Sequence, residues 1–254
     1  MEEVSPLKDV FRRGIHWIQH KTYWLIDNYI AGESFTPQML LSLFIPLLVD
    51  QILVSIINML NSAMVSSSGA EAVSAVSMVD SLNLFLTNFF IAVATGGTVV
   101  VAQYRGRHET EKSGVATAQA VTSAFVISLL VGGLIIVFCQ QVLMLLFGQA
   151  EQKVMDNAYV YLIGCCISYP FFAIFQAVSG ALRGMGDTPA SMMLSVSMNG
   201  LYVLLNLFFI NLLGMGILGV CISLNISRFF GCVGSMFYLL RSKKELRIRL
   251  KHFL

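Results

Sequence analysis

The chain has 254 residues, a formal net charge of +2, 56% hydrophobic and only 12% charged residues, and a mean hydropathy of +0.75. Soluble domains carry about 25% charged residues to cover a surface facing water, so this composition excludes an ordinary soluble globular protein. The small net charge says little about nucleic acid, and no such partner is expected.

Residues 1–36 mix both charge signs around Trp17 and Trp24. They lack the apolar core of about 7–15 residues that a cleavable signal needs, so none is expected. Residues 8–30 read as an interfacial helix. His16 and His20 are four apart but have no acid at ligand spacing, so they read as a solvated face and no metal site is expected.

Beyond this segment the apolar runs are long enough for membrane helices, which need about 20 residues each. They are too long for the alternating strands of a barrel, and inside lipid the backbone must pair with itself. The predicted fold is all-α, with six spans at about 39–63, 76–102, 115–138, 157–182, 190–212 and 216–240. Pro170 is a candidate kink in the fourth. The segment "QQVLMLLFGQAEQKV" between the third and fourth reads as short, amphipathic and interfacial. The resulting organisation is an N-terminal segment 1–36, a six-helix transmembrane lobe 37–240 and a basic tail 241–254.

Loop charge sets the orientation, because Lys and Arg gather on the cytoplasmic side. One side collects fourteen of the sixteen basic residues, from Lys8 through Arg183 to Lys251, and the other has Lys153 alone. Both termini are therefore expected to be cytoplasmic, in a cell membrane. The sixteenth, Arg228, falls inside the last span.

Several patterns imitate chemistry. "GMGILG" at 214–219 fits a dinucleotide fingerprint, but it lies between two membrane spans rather than in a strand–helix unit. "NIS" at 225–227 is a glycosylation sequon buried mid-span. Gly180 and Gly184 form a small-residue pair that permits close helix approach. The five cysteines lie in apolar runs without metal-like spacing. No histidine falls within a span and no zinc-protease motif occurs, so no intramembrane catalyst is expected.

The polar residues within the spans carry more information. Charged groups there are costly, by about 2.5–3.5 kcal/mol on insertion scales, and normally face protein or a water-filled cavity. At about 100° per residue, Asp50, Asn61, Asn58, Gln51, Ser62 and Ser55 share an arc of roughly 140° on the first span. Span two opens with Asp80, Asn83 and Asn88, with Asp80 reading as interfacial. Span five carries Asn199, Tyr202 and Asn206 on one face. Span six carries Ser223, Asn225, Ser227 and Arg228, and Asp50 is the candidate partner for Arg228. A polar cavity among six spans, without a nucleotide-binding loop or a filter signature, points to a secondary transporter.

Four stretches carry a more specific likeness. "IPLLVDQILVSIINMLNSAMVSSSGAEAVSAVSMVDSLN" resembles the first helix and following turn of the multidrug and toxic compound extrusion family. "ATGGTVVVAQYRGR" is similar to its second helix, with Gln103 and Gly106 at the exit. "GALRGMGDTPASM" and "GMGILGVCISLNISR" resemble its fourth-to-fifth loop and its sixth helix. The resemblance implies a drug/cation antiporter of two six-helix lobes that exports small cationic or amphipathic compounds against H⁺ or Na⁺, with no other cofactor. It also implies departures. The chain stops after six of twelve spans, so a second six-helix lobe is an expected partner. Truncation or a split gene is the favoured reading and pairing of two copies the other. Asn61 stands where many members carry an aspartate. Tyr202 and Asn206 stand on the helix-five asparagine and acid of archaeal members, and Leu224 on a helix-six threonine. An amide exchanges no proton near neutral pH, which leaves Asp50 as the candidate titratable residue. The expected transport path is Asp50, Gln51, Asn58, Asn61, Asn199, Tyr202, Asn206 and Arg228. The alternatives are a membrane scaffold or relic, inert without a second lobe, and a channel.

Overall fold

The computed structural model describes residues 37–66, 69–148 and 150–241, with side chains from residue 44 onward. Among them the helices are α1 (Pro37–Ser66), α2 (Ala70–Gly106), α3 (Thr110–Val137), α4 (Cys139–Phe147), α5 (Gln152–Gly184), α6 (Thr188–Asn206) and α7 (Gly216–Arg241). A π-helical stretch, Leu207–Leu212, continues α6. No strand occurs among the described residues, as the all-α expectation requires. Among the described residues, six helices are long and apolar enough to cross a membrane: residues 44–66 of α1, then α2, α3, α5, α6 with its extension, and α7. The interfacial helix expected at 8–30, His16, His20 and the tail beyond Arg241 lie outside the described residues.

The chain divides into two compact units, 1–49 and 50–254. Of the first, only the start of α1 is described, an apolar helical run with Phe44 and Ile45 exposed. The second contains the helix packing that follows.

The helices outrun the apolar stretches that predict them: α2 spans 70–106 rather than 76–102, and α5 spans 152–184 rather than 157–182. Hydropathy marks where a chain meets hydrocarbon, whereas the backbone ladder continues until a cap or turn ends it. Lys153, at the start of α5, pairs with Glu71, at the start of α2, at 3.5 Å on these polar extensions. The turn into α6 has its own chemistry. Gly186 adopts φ +84°, a left-handed conformation that favours glycine. Asp187 then caps α6 by accepting the Ala190 backbone N–H at 3.3 Å, with Pro189 in the first turn. Tyr238 of α7 donates to the other Asp187 oxygen at 3.0 Å and fastens that turn. The "GMGILG" stretch follows a helix, and its Gly214 and Gly216 serve a turn into α7 at φ +63° and +55°.

Helix α5 is the hub of the second unit, packing against α2, α3 and α7. Its Leu162, Tyr169, Val178 and Leu182 are fully buried. It runs unbroken through Pro170. The Gly180–Gly184 pair operates between helices of one chain. A Cβ at Gly184 would lie 2.8 Å from the Thr98 carbonyl oxygen of α2, and one at Gly180 would lie 3.3 Å from that of Ala94. The short α4 buries Cys139 and Leu143 and leaves Met144 and Leu145 exposed, as an amphipathic segment should. Burial pushes the Cys139 thiol above its ordinary range. All five cysteines are free and buried.

Candidate functional site

The polar side chains of the spans gather in two groups. The first lies where α2, α5 and α7 meet. Its α5 members, Tyr161, Cys165, Ser168 and Phe172, recur at helical spacing and so share a face. Tyr161 donates to Asp80 Oδ1 at 3.0 Å, and Tyr169 donates to Asn83 Oδ1 at 3.1 Å. From α7, Arg228 Nη1 donates to Ser168 Oγ at 2.6 Å, and its guanidinium lies 4.6 Å from the centre of the Phe172 ring. A cation over an aromatic face is attracted by the ring's quadrupole, which offsets part of the cost of burial. The Arg228 charge reaches Asp80 through space, yet the two form no ion pair. Each is held by its own neutral partner.

From this group the polar trail leads to α6 and α1. Tyr202 lies against Asn206 and within electrostatic reach of both Arg228 and Asp80. Asn206, fully buried, donates from Nδ2 to Asn61 Oδ1 at 2.9 Å. Its own Oδ1 is buried without a hydrogen-bond partner.

The second group lies towards the other end of the spans. Asp50 is buried on α1, beside Ser195 of α6 and within reach of the Arg183 charge at the end of α5. Its Oδ1 has no hydrogen-bond partner. Arg183 itself reaches Ser191 at 3.4 Å.

The eight residues expected on one path therefore fall in four settings. Asn61, Tyr202, Asn206 and Arg228 come together with the Asp80 group. Asp50 lies apart, with Arg183. Gln51 and Asn58 are exposed on α1, whose only buried residues among 44–66 are Asp50 and Val65. Asn199 is half-buried, with its amide donating to the Ser195 carbonyl in its own helix at 3.0 Å. The expected pairing of Asp50 with Arg228 is not formed. Arg228 is turned to Ser168 and Phe172 of α5, against which α7 packs, whereas Asp50 lies beside Ser195 and Arg183.

Asp80, read from the sequence as interfacial, is exposed ten residues into α2, where it accepts from Tyr161. Tyr161, Ser168 and Tyr169 were missed altogether. Their spacing in α5 was readable, but hydroxyls scattered in an apolar run look like ordinary core residues until a charged partner is known.

Six apolar helices enclosing buried arginine, aspartate and amide groups define a multi-pass membrane protein with a polar interior. The family model MatE matches residues 46–208, and the chain belongs to that family of transporters. It is 25% identical over 226 residues to an uncharacterized transporter, YisQ, of Bacillus subtilis, covering 87% of this chain and 48% of the relative. It is 24% identical over 236 residues to a probable multidrug resistance protein, NorM, of Thermotoga maritima, covering 89% and 50%. The chain thus spans about half the length of these relatives. Among solved structures, an outward-facing multidrug resistance MATE transporter of the MOP superfamily superposes with a TM-score of 0.77 at 18% identity, covering 85% of this chain and 48% of that one. A MOP superfamily transporter from Pyrococcus furiosus superposes at 0.72 and 21% identity, covering 85% and 48%. These likenesses show that the fold is that of half a MATE transporter.

Proposed function

We propose that this chain is one six-helix lobe of a secondary active efflux transporter that exchanges amphipathic small molecules for H⁺ or Na⁺. The observation that carries the reading is the buried Arg228, with Asp80, Tyr202 and the Asn61–Asn206 pair in reach, inside an apolar body. Maintaining such groups in a membrane is costly unless they face a polar path. A scaffold would gain nothing from that cost. The transport path is lined by Asn61, Tyr202, Asn206 and Arg228, with Gln51, Asn58 and Asn199 on the faces that border it. Its opposite wall is a second six-helix lobe, supplied by another chain or a second copy. The distribution of basic loops supports an orientation with both termini in the cytoplasm, and the cell membrane is the proposed location.

Asp50 is the proposed coupling residue. It is buried and under-bonded, near Arg183 on the cytoplasmic half of the path. A carboxyl that changes proton occupancy there would alter its attraction to Arg183 and hence the seating of α1. The test is efflux of a fluorescent dye from cells expressing the chain with a second lobe, with and without a proton or sodium gradient. Asp50→Asn should abolish gradient-dependent efflux while the protein remains in the membrane. Intact coupled efflux by that variant would remove Asp50 from the mechanism, and no efflux by any assembly would favour the inert scaffold. The substrates implied by the family resemblance are small cationic or amphipathic compounds.

A further inference from the structure

Helices α5 and α7 run the same way through the second unit, and the hydrogen bonds between them advance together along both. Cys221 Sγ donates to the Val160 carbonyl at 3.8 Å, Asn225 Nδ2 to the Gly164 carbonyl at 2.9 Å and Arg228 Nη1 to Ser168 Oγ at 2.6 Å. The seam is narrow because Gly164 has no side chain; a Cβ there would lie 2.5 Å from Cys221 Sγ. Large side chains rise on both sides, so the seam becomes the floor of an open groove of about 610 Å³. It reaches from Val160 to Phe171 on α5 and from Leu218 to Phe230 on α7, about 16–18 Å at 1.5 Å per residue. Phe171, Phe229 and Phe230 meet edge to face at its deep end. Of the twelve residues lining the groove only Asn225 is polar. Its amide nitrogen is spent on the Gly164 and Cys221 carbonyls and its Oδ1 is buried, so it has nothing to offer an occupant.

We infer that this groove seats one acyl chain of a membrane phospholipid along the seam between α5 and α7. With no charged side chain in its lining, a charged ligand gains nothing there. A neighbouring helix is about 10–12 Å across and would ride on the rims, where Ile167, Leu218, Phe229 and Phe230 are about half exposed. Helices that pack closely in membranes present small residues instead. A single hydrocarbon chain is thin enough to pass between these rims and lie on the floor. The groove begins two residues into α7 and ends eleven before its last residue, Arg241, so it occupies the half nearer the helix start. Its length is close to the roughly 15 Å depth of one leaflet, half of the hydrocarbon core. The groove runs along both helices, the direction in which acyl chains lie. A seated chain supplies the contacts that the floor and walls otherwise lack, and a lipid that binds only the folded lobe stabilises it. The inference requires only that these helices cross a bilayer and stands apart from the transport path.

The test uses the full chain in phosphatidylglycerol nanodiscs that contain a small share of the same lipid with a diazirine on its acyl chain. After irradiation, the cross-linked residues are mapped by peptide mass spectrometry. Ile167 and Ile226 should be labelled about fivefold more than Leu130 and Leu134 of α3, which are more exposed but lie outside the groove. A diazirine near the headgroup should label Val160 and Leu218, and one at the chain end Phe171 and Phe230. Ile226→Trp, which fills the groove, should lower labelling of Ile167 to the level of α3, whereas Leu130→Trp should leave it unchanged. Equal labelling of groove and α3 in the wild-type chain would mean ordinary contact with bulk lipid and would overturn the inference, as would labelling without that order of depth. Disulfide-linked dimers of an Ile167→Cys variant in the same nanodiscs would place a second copy in the groove and overturn it as well.

Discussion

At the scale of single residues, the amide pair of Asn61 and Asn206 is the clearest link between α1 and the rest of the second unit. Interhelical hydrogen bonds in membranes are worth about 0.6 kcal/mol on average and up to about 1.7 kcal/mol. A double-mutant cycle with Asn61→Ala and Asn206→Ala should return a coupling energy in that interval, measured by unfolding in mixed detergent. Because neither amide titrates, the coupling should be the same in mildly acidic and mildly alkaline buffer. Asn61→Asp should make it depend on pH, because the carboxylate must then either lose its charge or hold it against Asn206. If the wild-type coupling itself varied with pH, a titrating group would have to act on the pair, and Asp80, through Tyr202, would be the first to examine.

At the scale of elements, the contact between α5 and α2 rests on Gly180 and Gly184, whose missing side chains admit the α2 backbone at Ala94 and Thr98. Gly184→Leu would drive a side chain into a carbonyl 2.8 Å from the Cβ position, so the helices must separate. The expected result is a loss of about 1–3 kcal/mol, seen as a lower unfolding midpoint. Gly96→Ala, on the same helix pair but with nothing within 4 Å of its Cβ, should be near neutral. This contact was legible in the sequence as a small-residue spacing, and so were the six spans, because lipid imposes length and apolarity on a helix. The polar arc of α1 was legible too, from its 100° period. What could not be read was which face of each helix meets which neighbour, and at what depth. Asp50 and Arg228 looked like partners because both are ionic and mid-span, but Arg228 is turned to α5 and Asp50 lies beside Ser195 and Arg183, a choice of faces that spacing within one helix does not reveal. The clasp between Tyr161 and Asp80 joins residues 81 positions apart, a pairing that no local pattern announces.

At the scale of the whole molecule, the exposed surface of α1 is the wall a transport path would need. Gln51, Ser55, Asn58 and Ser62 are exposed on it, alongside exposed Ile52, Ile56 and Met59. Polar side chains turned towards acyl chains would be costly, whereas apolar ones would be at home there. The two sets can both be satisfied only if one side of α1 borders lipid and the other borders water or a second lobe. Single cysteine substitutions separate these faces, and the background is favourable because all five native cysteines are buried. In the assembled transporter, Asn58→Cys and Ser62→Cys should react with a membrane-impermeant thiol reagent added from outside, whereas Ile56→Cys and Met59→Cys should not. Gln51→Cys, deeper by about 16 Å than Ser62 at 1.5 Å per residue, should react more slowly or only from the cytoplasmic side. Labelling of the apolar positions alone would mean that α1 is turned the other way, and the proposed path would lose its first wall. Labelling of the polar positions that falls when an excess of exported dye is present would show that water and substrate share the same route past α1.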